Sequence, residues 1–434
     1  MFRSLLVCIV FWLSACNTSN NPGADFNPLA ESYVRLGLTI GQYDPDFVDA
    51  YYGPDSLKPT TAKATVFPKD SLLTAVKSLQ EKCKPFLDSS YANDTIRTRA
   101  SWMNMQLNAF AERIRIFSQD FSSFNDESKQ LFSVEPPAYT EEHFKGLVHQ
   151  LDSILPGKGS IPERMQQLAK KFVIPKDKVD TVFKTAIEEA RKRTKDRYQL
   201  PSTESFVLEY VNDKPWSGYN WYKGNYQSVI QINVDLPILI DRAIDLACHE
   251  GYPGHHVYNM LLEKNLYRDK GWVEISLYPL YSPQSLIAEG SANYGIEMAF
   301  PGEEAARFAR QSLIPLAGTD TSQVEVYFKT LSLKLQLNYA RNEAARGLLD
   351  GRMDEKEALR WLTQYALMSN EVAAKSISFI RKHRSYVICY NYGLDLVRNY
   401  IESKGGTASA SDKRWQLFGE LLSNPVTPVQ LKEN

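Results

Sequence analysis

Three of the chain's six histidines fall within eight consecutive residues, His249-Glu250-Gly251-Tyr252-Pro253-Gly254-His255-His256. Neutral imidazoles hold zinc, and a carboxylate beside the first of them could take a proton from a water at the metal. The window departs from the familiar H-E-x-x-H pattern, because Pro253 stands four positions after His249. In an unbroken helix His255 would lie about 240° round from His249, and His256 roughly 10 Å further along the axis. Zinc–nitrogen bonds are only about 2.0–2.1 Å long, so neither could then share the metal. Pro253 removes a helical hydrogen bond and Gly254 tolerates unusual dihedrals, which predicts a local bulge there. The smaller bulge brings His255 to the metal with His256 behind it; the reverse arrangement stays open.

A catalytic zinc site needs a third protein ligand and one open position. Glu289 is the first candidate, an acid flanked by Ile287, Ala288 and small residues in Ala288-Glu289-Gly290-Ser291-Ala292-Asn293-Tyr294. Carboxylates are rarely buried unless paired or metal-bound. The plain alternative is a solvated helical glutamate. Glu297, near a helix end beside Phe300-Pro301, is the competing acid and reads as surface. One Zn2+ per chain is therefore expected. His143 and His149 read as exposed, His383 as part of a basic helix end, and Cys248 as a small buried residue.

The elements that must position these residues are mostly helical. Apolar residues recur at helical spacing over 69–87, 95–117, 141–155, 162–172 and 176–198. Around Pro201 the texture changes, and 205–210 and 226–234 read as strands, with a turn signal at Ser217-Gly218. The second strand feeds, after Pro237, into the helix that carries the motif. It is either an edge able to pair with an extended peptide or one arm of an ordinary hairpin. Helices follow over 284–298, 322–349, 355–367, 369–382, 386–402 and 412–422. The expected fold is mainly α, a multi-helix arrangement with a small β element before the motif helix. The expected division is an N-terminal helical region over 26–200 and a catalytic region over 201–434.

Residues 1–16 stand apart. Arg3 precedes a short apolar run that ends in Leu13-Ser14-Ala15-Cys16. The run is too short to span a membrane, and small residues before a cysteine resemble a bacterial lipobox with Cys16 as the lipidated residue. A polar tether over 17–25 would follow. No aspartate follows Cys16, which points to the outer membrane of the cell envelope. The rest of the chain has the make-up of a soluble globular protein, 43% hydrophobic and 23% charged. With a net charge of −1 and no basic stripe, nucleic acid is not an expected partner.

The motif window resembles the H-E-x-x-P-G-H-H signature of the bacterial family called domain of unknown function 885, which is similar to gluzincin-type zinc metallopeptidases. Glu289-Gly290-Ser291-Ala292-Asn293-Tyr294 resembles that family's E-G-W-A-x-Y block, with Ser291 in place of the tryptophan. Arg341, Arg346 and Asp350 resemble a family R-x-x-x-x-R-x-x-x-D helix. The stretch 384–393 resembles P-G-Q-x-x-S-Y-x-x-G, with Tyr390 and Gly393 at matching places. The resemblance implies a mostly helical zinc peptidase. Glu250 would be general base and then acid. Tyr390, or else Tyr386, would donate to the oxyanion. Arg341 or Arg346 could hold a substrate carboxylate, though an ion pair with Asp350 or Glu343 would serve structure alone. The function expected is a zinc-dependent peptidase acting on peptides outside the cytoplasm, tethered to the membrane by lipid. Two rivals remain: a non-catalytic lipoprotein that binds peptides or envelope partners, and a metal hydrolase of another amide or ester.

Overall fold

A computed structural model describes residues 22–88, 93–214 and 216–432. The predicted leader, Cys16 and the first part of the predicted tether lie outside those residues. The last four tether positions do not: a helix runs Pro22–Gly41. No helix among the described residues is long and apolar enough to cross a membrane.

The chain is mainly α, and the helices form where apolar spacing and caps place them. Lys69–Leu87 buries Leu72, Val76, Leu79, Cys83 and Phe86, one stripe at helical period. Asn93 caps Asp94–Phe117 by accepting from the Ile96 amide at 2.9 Å. A capping box of Ser160 and Glu163 opens Ile161–Lys170. The predicted helix over 322–349 is two, Val324–Leu337 and Tyr339–Leu349, which meet at Asn338. The helix Phe124–Phe132, capped by Ser123, adds an element not expected from periodicity.

Among the described residues five short strands supply the β structure: β1 (Val48–Tyr51), β2 (Ser205–Val211), β3 (Gly218–Gly224), β4 (Gln227–Asn233) and β5 (Leu277–Pro279). β2, β4 and β3 form one sheet in that order, with β2 parallel and β3 antiparallel to β4. β4 is thus the central strand and one arm of a hairpin with β3, which settles the two readings against the edge. The edge that lies against the motif helix is β3, whose Asn220 donates to the Glu250 carbonyl at 2.7 Å. β1 and β5 pair antiparallel, so a strand from the start of the described chain sits beside the entry to the Pro283–Ala299 helix.

The two predicted regions share one apolar core. A single cluster of buried side chains runs from Phe26 through Phe110 and Phe183 to Tyr294 and Phe418. Buried ion pairs also cross between them: Arg99 with Glu274 at 2.7 Å, and Glu127 with Arg384.

Candidate metal centre

The motif helix is built to turn a corner. It begins as Ile240–Leu246 and widens to a π turn over Ala247–Gly251. The chain then breaks at Tyr252–Gly254 and a new helix starts, His255–Leu262. The break closes tightly, with the Gly254 amide donating to the Cys248 carbonyl at 2.9 Å. A Cβ on Gly254 would stand 2.0 Å from the His249 carbonyl oxygen, so only glycine fits. The widened turn and the break absorb the extra residues, and His255 arrives beside His249, their ring centroids 4.8 Å apart.

Glu289 reaches the same point from the Pro283–Ala299 helix and is 8% exposed. Its Oε2 lies 3.4 Å from His249 Nε2 and 3.8 Å from His255 Nε2. Three donors around a tetrahedral ion with bonds of 2.0–2.1 Å would stand about 3.3 Å apart. Glu289 Oε2 is buried and has no hydrogen-bond partner among the described residues. Burial alone would raise its carboxyl, but the facing His249 and His255 outweigh that and hold it far below the ordinary carboxylate range. An orphaned anionic oxygen between two imidazole nitrogens fits a cation. Among the described residues these three form the one set of His, Cys, Asp and Glu donors so gathered.

Neighbouring groups hold the donors in place. Tyr386 donates to Glu289 Oε1 at 3.0 Å. Asn293, one turn after Glu289, accepts from His249 Nδ1 at 3.1 Å and donates to the Tyr390 carbonyl at 2.9 Å. That contact leaves Nε2 of His249 to face Glu289, where a cation would sit. The tyrosines come close because Gly290 and Gly393 meet where the Pro283–Ala299 and Ile388–Ser403 helices cross; a Cβ on Gly290 would stand 2.4 Å from the Gly393 carbonyl.

Glu250 is 5% exposed, and its charge acts on His249 and on Tyr390. Tyr390 is a neutral phenol here, pushed well up by burial and then by Glu289. Asp49 arrives from β1 and accepts a hydrogen bond from Tyr219 of β3. Its carboxyl is pushed up to about 6, chiefly by burial, with Glu289 and Glu250 adding to the rise and Tyr219 and His255 opposing it.

Other expected site residues lie elsewhere. His256 does not join the metal set: it is fully buried, with Nδ1 2.8 Å from Ser228 Oγ and Nε2 3.3 Å from Glu204. Tyr386 is committed to Glu289, which takes it from the role of oxyanion donor. Arg346 is saturated by Glu343 at 2.5 Å, Asn125 and the carbonyls of Pro136 and Pro137, so its part is structural. Glu297 pairs with Arg398 and Arg414. His383 does close a basic helix end, but it is half-buried: the Tyr281 hydroxyl lies 2.8 Å from its Nδ1, and burial, with Lys382, brings it down to about 4. Asn293 could have been found in the sequence, as the lone amide one turn from Glu289. Asp49 had no local signal.

No protein-family model and no curated protein sequence matches the chain. Among solved structures it is similar to a protein of Colwellia psychrerythraea described as a candidate lipoprotein, with TM-score 0.54 and 14% identity over 83% of this chain. The chain spans 65% of that protein's length, and the likeness concerns fold alone. It also aligns with metallocarboxypeptidase 1 of Trypanosoma cruzi, with TM-score 0.44 and 12% identity over 92% of this chain and 90% of that one. An M32 carboxypeptidase from Deinococcus radiodurans R1 aligns with TM-score 0.42 and 11% identity, covering 94% of each chain.

Proposed function

We propose that this protein is a zinc-dependent hydrolase that cuts peptide bonds. The observation that carries the reading is the buried, partnerless Glu289 Oε2 facing Nε2 of both His249 and His255. Two imidazoles and one carboxylate suit zinc and leave a position open. When bound there, zinc would supply Lewis acidity for a carbonyl and lower the pKa of a water.

The chain's own residues supply the rest. Glu250, next to His249 and shielded from bulk solvent, takes a proton from the attacking water and hands it to the departing amine. Tyr390, neutral and close to both acids, donates a hydrogen bond to the oxygen on which negative charge develops. Asn293 fixes the His249 ring and Tyr386 fixes the Glu289 carboxylate. A peptide is favoured over a smaller amide because β3, an edge of its sheet, runs past Glu250 and offers backbone groups to an extended chain. Membership of the domain of unknown function 885 family, lipidation at Cys16 and residence in the cell envelope belong to the same proposal; they rest on the motif residues and on the leader. Metal analysis of protein purified without chelator, with a mixed-peptide cleavage screen, tests it. About one zinc per chain and chelator-sensitive cleavage are expected; a metal-free protein inert towards every peptide would sink it.

A further inference from the structure

The helix Tyr339–Leu349 carries two arginines of opposite character. Arg346 meets an acid, an amide oxygen and two carbonyls, as described above. Arg341 makes no ion pair and no side-chain hydrogen bond with the described residues, and its Nε is buried without a partner. Only an aromatic face attends it, Phe379, 4.5 Å from the guanidinium carbon. The side chain is half-buried, and a guanidinium with no acid beside it suits an anion with planar, paired oxygens.

Its place says where that anion comes from. Asn342 and Asn391 exchange two amide hydrogen bonds, 2.9 and 3.1 Å, which set the Tyr339–Leu349 helix against the Ile388–Ser403 helix. That register puts Arg341 close enough for its charge to act on Tyr390. Tyr390 is in turn within reach of the charges of Glu289 and Glu250. Phe379 and Tyr386 flank the same phenol, with ring centroids 6.4 and 5.8 Å from it. A chain of aromatic contacts thus links the candidate metal centre, through Tyr386, Tyr390 and Phe379, to an unpaired cation.

We propose that Arg341 receives a carboxylate of the substrate, so the protein acts on peptides that carry a carboxylate beside the bond to be cut. The proposal rests on the peptidase reading above. Two sources share this chemistry, a free chain terminus and an acidic side chain.

The test measures binding, by calorimetry, to full-length protein with Glu250→Gln to prevent turnover. Three probes are used: N-acetyl-Ala-Phe with a free terminus, its amide, and N-acetyl-Ala-Glu amide. At least one carboxylate probe should bind on the order of 30-fold more tightly than the neutral amide, and Arg341→Met should erase the difference. A preference for the first probe assigns a chain terminus, and for the third an acidic side chain. Arg341→Met should melt no lower than its parent, since it removes a charge without a partner, whereas Arg346→Met should melt lower. Equal or absent binding of all three probes overturns the proposal, as does an Arg341→Met protein that keeps the preference. Failure of the peptidase reading would show separately, as no turnover by the zinc-loaded protein with Glu250 intact.

Discussion

Two buried glutamates in this molecule are surrounded by the same residue types and do different things. Glu204 accepts from Tyr252 at 2.5 Å, lies 3.3 Å from His256, and is paired with Arg191. Every nearby donor is used, and a full cation balances the charge. Glu289 also has a tyrosine and histidines, but no arginine, and one of its oxygens is left over. Histidine, glutamate and tyrosine together are therefore not a signature of chemistry. The saturated set holds the turn that follows the π segment, and the unsaturated set is left wanting an ion.

The sharpest test exchanges the two adjacent histidines. His255→Ala should drop zinc from about one equivalent to a small fraction and abolish hydrolysis, while His256→Ala should keep the metal and lose stability. Metal analysis and melting curves of both variants decide it, and equal zinc loss in the two would erase the distinction. Next comes the base. Glu250→Gln should retain zinc but lose at least ~100-fold in turnover, and an active variant would overturn the mechanism. A smaller effect should follow from Asn293→Ala, which frees the His249 ring. Zinc affinity should fall about 10- to 100-fold by competition with a chromogenic chelator.

The mildest change is expected on the saturated side. Glu204→Gln should cost roughly 1–3 kcal/mol without touching zinc content. Its pH dependence has a definite sign. The folded carboxyl is lowered from 4.5 to about 2: burial opposes the shift, and His256, Tyr252 and Arg191 outweigh it. Its contribution is thus complete above about 4.5 and fades as pH falls towards about 2. The melting difference between parent and variant should shrink over that window, and a constant difference would mean the charge is not what matters.

Much of this was legible in the residues. The Pro253-Gly254 pair announced that the helix could not continue, and a bulge of the smaller size pointed to His255. The low charge around Glu289 marked it as an acid that needed a reason to be buried. What escaped depended on distant partners. β3 reads as turn and aromatic cluster, because Gly218 and the alternation of Asn220 and Tyr222 make sense only against β4. Glu204 looks like a loop acid until Arg191 and His256 fold onto it. Asp49 lies in a strand of four residues whose partner is β5, more than two hundred positions away.

That last pairing bears on how the molecule comes to maturity. All three candidate metal donors and Glu250 belong to the second half of the chain, yet β1 must return from residues 48–51 to close on β5. Contacts of such separation form late, because a large loop must be closed before they reward it. Asp49 is delivered to the candidate metal site by that closure, so a nascent chain could gather its imidazoles well before the surrounding charge is in place. The completed site would then mark the end of folding, and the earliest strand would be the last to make its contribution.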